Sequence, residues 1–110
     1  MADKDNILLG GNIQLAGFAR IDGASMEVVR KVVGTFSQKV GRHGLFEGLK
    51  VTLKEVHKRE KSELYEIHAH LFGKGHKFNA SAMGRNLFMA LDDALKRVER
   101  EAEHVLAKFK

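Results

Sequence analysis

Apolar positions recur along the 110 residues with two different periods, and the switches between them divide the chain into elements. From Leu87 onward, Leu87, Leu91, Ala94, Leu95, Val98, Ala102 and Val105 fall at helical spacing and predict a long amphipathic helix. Arg85, Lys96, Arg97 and Arg100 stand on its other faces. An earlier stretch, from about Gly23 to Val40, repeats the pattern with Met26, Val29, Val32, Val33, Phe36 and Val40. Its outer side carries Arg30, Lys31, Gln38 and Lys39, and Asp22 stands where an N-cap belongs. Elsewhere the period is two. Asn12 to Phe18, Leu49 to His57, Leu64 to Phe72 and His76 to Ala82 predict four strands. GRHGLFEG (Gly41 to Gly48) ends the first helix, Lys58 to Ser62 forms a charged connection, and Gly73-Lys74-Gly75 makes a tight turn between antiparallel neighbours. No proline interrupts any element.

The resulting order, β-α-β-β-β-α, predicts an α+β two-layer domain. Its four-stranded sheet carries both helices on one face and leaves the other wet. Residues 1–11 read as a flexible leader jointed at Gly10-Gly11, and residues 12–110 as one domain. Apolar residues make up 44% of the chain, enough for a core, and no repeat or linker splits it. The chain has no cysteine, which excludes disulfides, Cys-ligated metal and thiol nucleophiles. No apolar run nears the roughly 18 residues of a membrane span. The sequence is therefore read as that of a cytoplasmic protein with no membrane partner.

Charge changes the picture more than composition does. Nineteen Lys and Arg against fourteen Asp and Glu give +5 at neutral pH, which fits either an ordinary soluble surface or a footprint for a polyanion. Arg85, Lys96 and Arg100 are spaced close to whole helical turns and form one expected stripe; Lys31, Lys39 and Arg42 form a second on the first helix. Such rows suit a sugar-phosphate backbone, although Asp92, Asp93, Glu99, Glu101 and Glu103 dilute them. The wet sheet face, with Lys50, Lys54 and His70, competes with the helix rows for that role. The candidate RNA-binding residues are thus Lys31, Lys39, Arg42, Lys50, Lys54, Arg85, Lys96, Arg97 and Arg100. No aromatic residue stands out as a base-stacking platform, so recognition of backbone and shape is expected rather than sequence reading.

Signals for catalysis are weak, and the chain is read as a non-enzyme with no cofactor and no small-molecule substrate. His68 and His70 lie two apart on one strand face and could share a zinc ion with His76. Histidines on a wet sheet face explain the same pattern without a metal, because no Cys and no well-placed carboxylate completes a ligand set. Asp92 and Asp93 diverge by about 100° on a helix and cannot face each other as a catalytic pair. Their four-residue offsets to Lys96 and Arg97 suit local ion pairs instead. Ser62, Ser81 and Thr52 have no evident His-Asp partners. The Gly-Gly and Gly-Lys-Gly segments match no nucleotide-binding loop.

The stretch NASAMGRNLFMALDDALKRVERE resembles the ribosome hibernation-promoting factor family, also called ribosome-associated inhibitors. Ala80-Ser81, Leu87-Phe88-Met89-Ala90-Leu91 (with Phe for the family's Tyr) and Arg97-Val98-Glu99-Arg100-Glu101 carry the match. The Asn12-Ile13 start and the cap at Asp22 fall in register, so the resemblance spans about Asn12 to Lys108. Met83 stands where members often have lysine, and Asn86 replaces the helix-starting Asp. The resemblance implies a domain akin to double-stranded RNA-binding folds, of the family's short form. It also implies binding, as a monomer, to small-subunit ribosomal RNA in the messenger and transfer RNA channel, with a steric block on translation under stress. Of the basic residues, Arg97 and Arg100 align best with the family. A free-standing double-stranded RNA-binding module is the alternative.

Overall fold

A computed structural model describes residues 7–9, 12–42, 44, 46–59 and 62–107, with backbone alone over 55–59, 62–63 and 107. The elements are β1 (Ile7–Leu8), β2 (Ile13–Ala16), α1 (Gly23–Arg42), β3 (Gly48–Arg59), β4 (Ser62–Gly73), β5 (His76–Gly84) and α2 (Leu87–Ala107). They form one mixed sheet in the order β1-β2-β3-β4-β5. β2 and β3 are parallel and joined through α1; all other neighbours are antiparallel.

The sheet has five strands, not the four expected. Ile7 pairs with Leu15 and Leu8 with Gln14, and the Leu9 amide donates to the Ile13 carbonyl at 3.0 Å. The short apolar run Ile7-Leu8-Leu9 therefore adds an edge strand instead of trailing as leader. The flexible joint expected at Gly10-Gly11 lies outside the described residues, as does most of the leader.

Both helices begin on side-chain caps. The Asp22 carboxylate accepts from the Ser25 amide at 2.9 Å, and the Asn86 side-chain oxygen accepts from Met89 at 3.0 Å. The Ser25 amide, together with its hydroxyl, holds the Asp22 carboxyl below its ordinary pKa. A depressed carboxyl contributes stability that is full above its unfolded pKa, about 3.9. That contribution is lost as pH falls toward the lower folded value. Asp22→Asn, which can cap but does not titrate, is expected to match the wild type at pH 7 and to show a smaller stability loss in acid. Urea midpoints measured from pH 7 to pH 2.5 check this.

One face of the sheet and one stripe of each helix make a single core. Leu15, Val51, Ile67, Ala69, Leu71, Val29, Val33, Leu91, Ala94 and Val98 are fully buried in it. The helices run side by side on that face, both following strands that share one direction: Lys31, Val32 and Asp92 line one groove between them, and Lys39 bonds Glu99. Both helix C-termini thus lie toward the tight turn between β4 and β5. That turn puts Lys74 and Gly75 at φ +52° and +76°, the left-handed pair a two-residue hairpin requires.

Two local devices shape the sheet's centre. The register of β3 against β4 shifts between Leu53 and Glu55, which leaves Lys54 as an extra residue at a bulge. Just past the end of β2, Gly17 takes φ +82° and lies so close to Leu53 that an added Cβ would sit 2.2 Å from the Leu53 carbonyl oxygen.

Candidate nucleic-acid interface

The nine cationic candidates do not form one patch. Lys31, Lys39 and Lys96 line a groove of about 360 Å³ between the helices, above Val32, Phe36 and Leu95. Acidic residues share that groove. Lys39 Nζ lies 3.2 Å from Oε1 of Glu99, whose side chain is only 9% exposed. Lys96 Nζ lies 2.9 Å from Asp92 Oδ2, and this bond raises the lysine's pKa above its ordinary value. Each pair offsets a positive charge that a helix-borne RNA row would need.

Arg97 is turned elsewhere. Its Nη1 donates to the Ser81 carbonyl oxygen at 2.9 Å, which ties α2 to β5. Arg100 is exposed one turn beyond Lys96. Arg85 is not on the helix at all: α2 begins at Leu87, and Arg85 occupies the preceding bend. The expected Arg85–Lys96–Arg100 stripe therefore reduces to Lys96 and Arg100. Arg42 is exposed in the last turn of α1, at the opposite end of the domain from Arg85.

Lys50 and Lys54 lie on the open sheet face, and the strand register shows what accompanies them. One row across the sheet reads Gln14, Lys50, His70, Asn79; the next reads Ala16, Thr52, His68, Ser81. Beyond the first row Phe72 pairs with Lys77, and the Lys77 ammonium stands 5.8 Å from the centre of the Phe72 ring. Sequence reasoning missed Lys77, Asn79 and the half-buried Phe72 as members of this surface. The signal was present in HKFNASAM, where Phe78 and Ala82 are buried while Lys77, Asn79, Ser81 and Met83 alternate with them outward.

The histidines are arranged for hydrogen bonding rather than for a shared metal. His68 Nε2 is 2.7 Å from Glu66 Oε2, and His70 Nδ1 is 2.5 Å from Asn79 Oδ1. His76 falls on the other strand parity and stacks on Phe78 at 5.9 Å. Among the described residues, no three His, Asp or Glu side chains gather as a metal site requires. None of the described helices is long and apolar enough to cross a membrane.

No protein-family model and no curated protein sequence matches the chain. Solved structures do. A ribosomal subunit interface protein from Coxiella burnetii superposes with a TM-score of 0.60 at 13% identity, covering 87% of this chain and 96% of that one. The N-terminal domain of Protein Y from Thermus thermophilus superposes with a TM-score of 0.52 at 19% identity, covering 86% and 94%. At such identities the likeness is one of fold.

Proposed function

We propose that this chain is a ribosome-associated translation silencer of the hibernation-promoting kind. In this reading it acts in the cytoplasm, binds ribosomal RNA of the small subunit in the messenger and transfer RNA channel, and excludes those ligands by bulk. It catalyses no reaction and needs no cofactor. The observation that carries the reading is the likeness, over most of both chains, to a ribosomal subunit interface protein. The resemblance in NASAMGRNLFMALDDALKRVERE is an independent support, because it rests on residues rather than on topology.

The chemistry is electrostatic. A net charge of +5, with lysines and arginines on several surfaces, draws the domain toward a polyanion. Charge-assisted bonds from ammonium and guanidinium groups to phosphates then hold it. Release of counterions makes such binding steeply dependent on salt. With four or five phosphate contacts, affinity for isolated small subunits is expected to fall roughly a hundredfold between 50 and 200 mM salt. Co-sedimentation over a salt series measures this. Salt-independent pelleting, or attachment to large subunits alone, would refute the reading. A plain RNA duplex bound as tightly as the small subunit would instead favour the free-standing double-stranded RNA-binding module.

A further inference from the structure

We propose that the open face of the β-sheet, not the helical side, is the surface that docks on RNA phosphates. This rests on the ribosome-binding reading above and assigns its contact surface. The two candidate surfaces differ in how their charges are already engaged. On the helical side, Glu99 and Asp92 hold Lys39 and Lys96, and Arg97 is bonded to the Ser81 carbonyl. A phosphate that engages Lys39 or Lys96 must displace a carboxylate and remain beside it, which leaves Lys31 and Arg100 as the helical cations that could take one without such an exchange. The nearly buried Glu99 would then have to be left without its ammonium, an unfavourable exchange.

Among the described residues, no carboxylate is bonded to a lysine of the sheet face. Lys50, Lys54 and Lys77 stand on it; two acids, Glu55 and Glu66, lie opposite each other in the strand register beside Lys54, and the Glu66 carboxylate is bonded to His68. Between the lysines lie Gln14, Thr52, His68, His70, Asn79 and Ser81, groups of the kind that bond phosphate and ribose oxygens. Rows two residues apart along a strand are separated by about 6.6 Å, and neighbouring strands by about 4.8 Å. The face therefore presents donors as a grid. Phe72, with Lys77 beside its ring, adds an apolar surface on which an unpaired base can stack. Both helices pack on the opposite face, so nothing described need move before RNA approaches. Charge complementarity thus commits this surface to a sugar-phosphate backbone.

The test compares two double variants, Lys50→Glu/Lys77→Glu on the sheet and Lys31→Glu/Arg100→Glu on the helices. All four substitutions replace side chains outside the apolar core, and unfolding midpoints verify that each variant folds. Lys50→Gln/Lys77→Gln serves as a milder sheet variant should the charge reversal fail to fold. Binding to isolated small subunits is followed over a salt series. The sheet variants are expected to lose at least about tenfold in affinity, and the slope of log affinity against log salt to shrink by about 1.4–1.8 for two lost phosphate contacts. The helix variant is expected to stay within about threefold of wild type. Three results would overturn the assignment: a helix variant that loses more than the sheet variants, sheet variants that bind as wild type, or weaker binding with an unchanged salt slope. The last would identify a protein rather than a phosphate partner. A wild-type chain that ignores small subunits altogether would instead remove the ribosome-binding reading.

Discussion

Gly17→Ala is expected to destabilise the domain by about 3 kcal/mol or more, through two causes that add. The backbone sits at φ +82°, where a side chain strains an L-residue, and the new methyl would lie 2.2 Å from the Leu53 carbonyl oxygen and 3.2 Å from its carbon. The obstacle is backbone, so no rotamer change relieves it. Leu53 adjoins the bulge at Lys54, where β3 already departs from regular pairing, and pushing it away would disturb the β3–β4 register. For a domain of this size the loss corresponds to a melting point lower by about 15 °C. Gly34→Ala supplies the contrast. Gly34 lies inside α1 with nothing within 4 Å of an added Cβ, and alanine there is expected to stabilise by up to about 1 kcal/mol. Thermal melts of the two variants should therefore move in opposite directions. Equal shifts would mean that the close approach at Leu53 is not rigid.

Leu91→Ala is expected to be comparably severe, at about 3 kcal/mol, for a different reason. Leu91 is fully buried in α2 and faces the core between the helices and the sheet. Alanine is the better helix former, so propensity cannot account for a loss; only missing contacts and the space left behind can. Other members of the same core, among them Ala94, Val98 and Ile67, are themselves fully buried on helix and strand backbones, which limits collapse into the gap. A guanidinium titration should show a lower midpoint with an unchanged slope, because the native fold and its buried surface are otherwise kept. A loss below about 1 kcal/mol would indicate a core that repacks freely.

The periodic segments were legible in the chain because burial imposes its period on the residues that face it. Met26, Val29, Val33, Phe36 and Val40 are the buried side of α1, and the alternation of Ile67, Ala69 and Leu71 against His68 and His70 sets the two faces of β4. β1 was misread because a two-residue edge strand has no room for a period. Its signal was the apolar Ile7-Leu8-Leu9 before Gly-Gly and a second strand, a pattern a hairpin and a loose leader share. The interface was harder to read for an electrostatic reason. Helical spacing locates Lys39, Lys96 and Arg97 on exposed faces, but it is blind to partners sixty residues away or on another element. Glu99 meeting Lys39 and the Ser81 carbonyl meeting Arg97 are tertiary facts. The four-residue offset of Asp92 and Lys96 was readable, and that pair forms. Arg97 is the sharpest case: one of the two arginines that best matched the family pattern is turned toward the sheet, and the turn from β5 to α2 brings it to Ser81.

The Arg97 bond to Ser81 also bears on the exposed edge of the sheet. A sheet's outermost strands present unpaired backbone groups that can recruit further strands, and from there fibrils grow. Here one outer strand is a two-residue stub, too short to template much. The other, β5, has nine residues, and a guanidinium from α2 occupies one of its acceptors while placing a positive charge beside it. A second sheet approaching β5 would bury that charge. Removing the guanidinium, as in Arg97→Ala, is expected to leave that acceptor open to a further strand and to raise aggregation at high protein concentration, which light scattering measures.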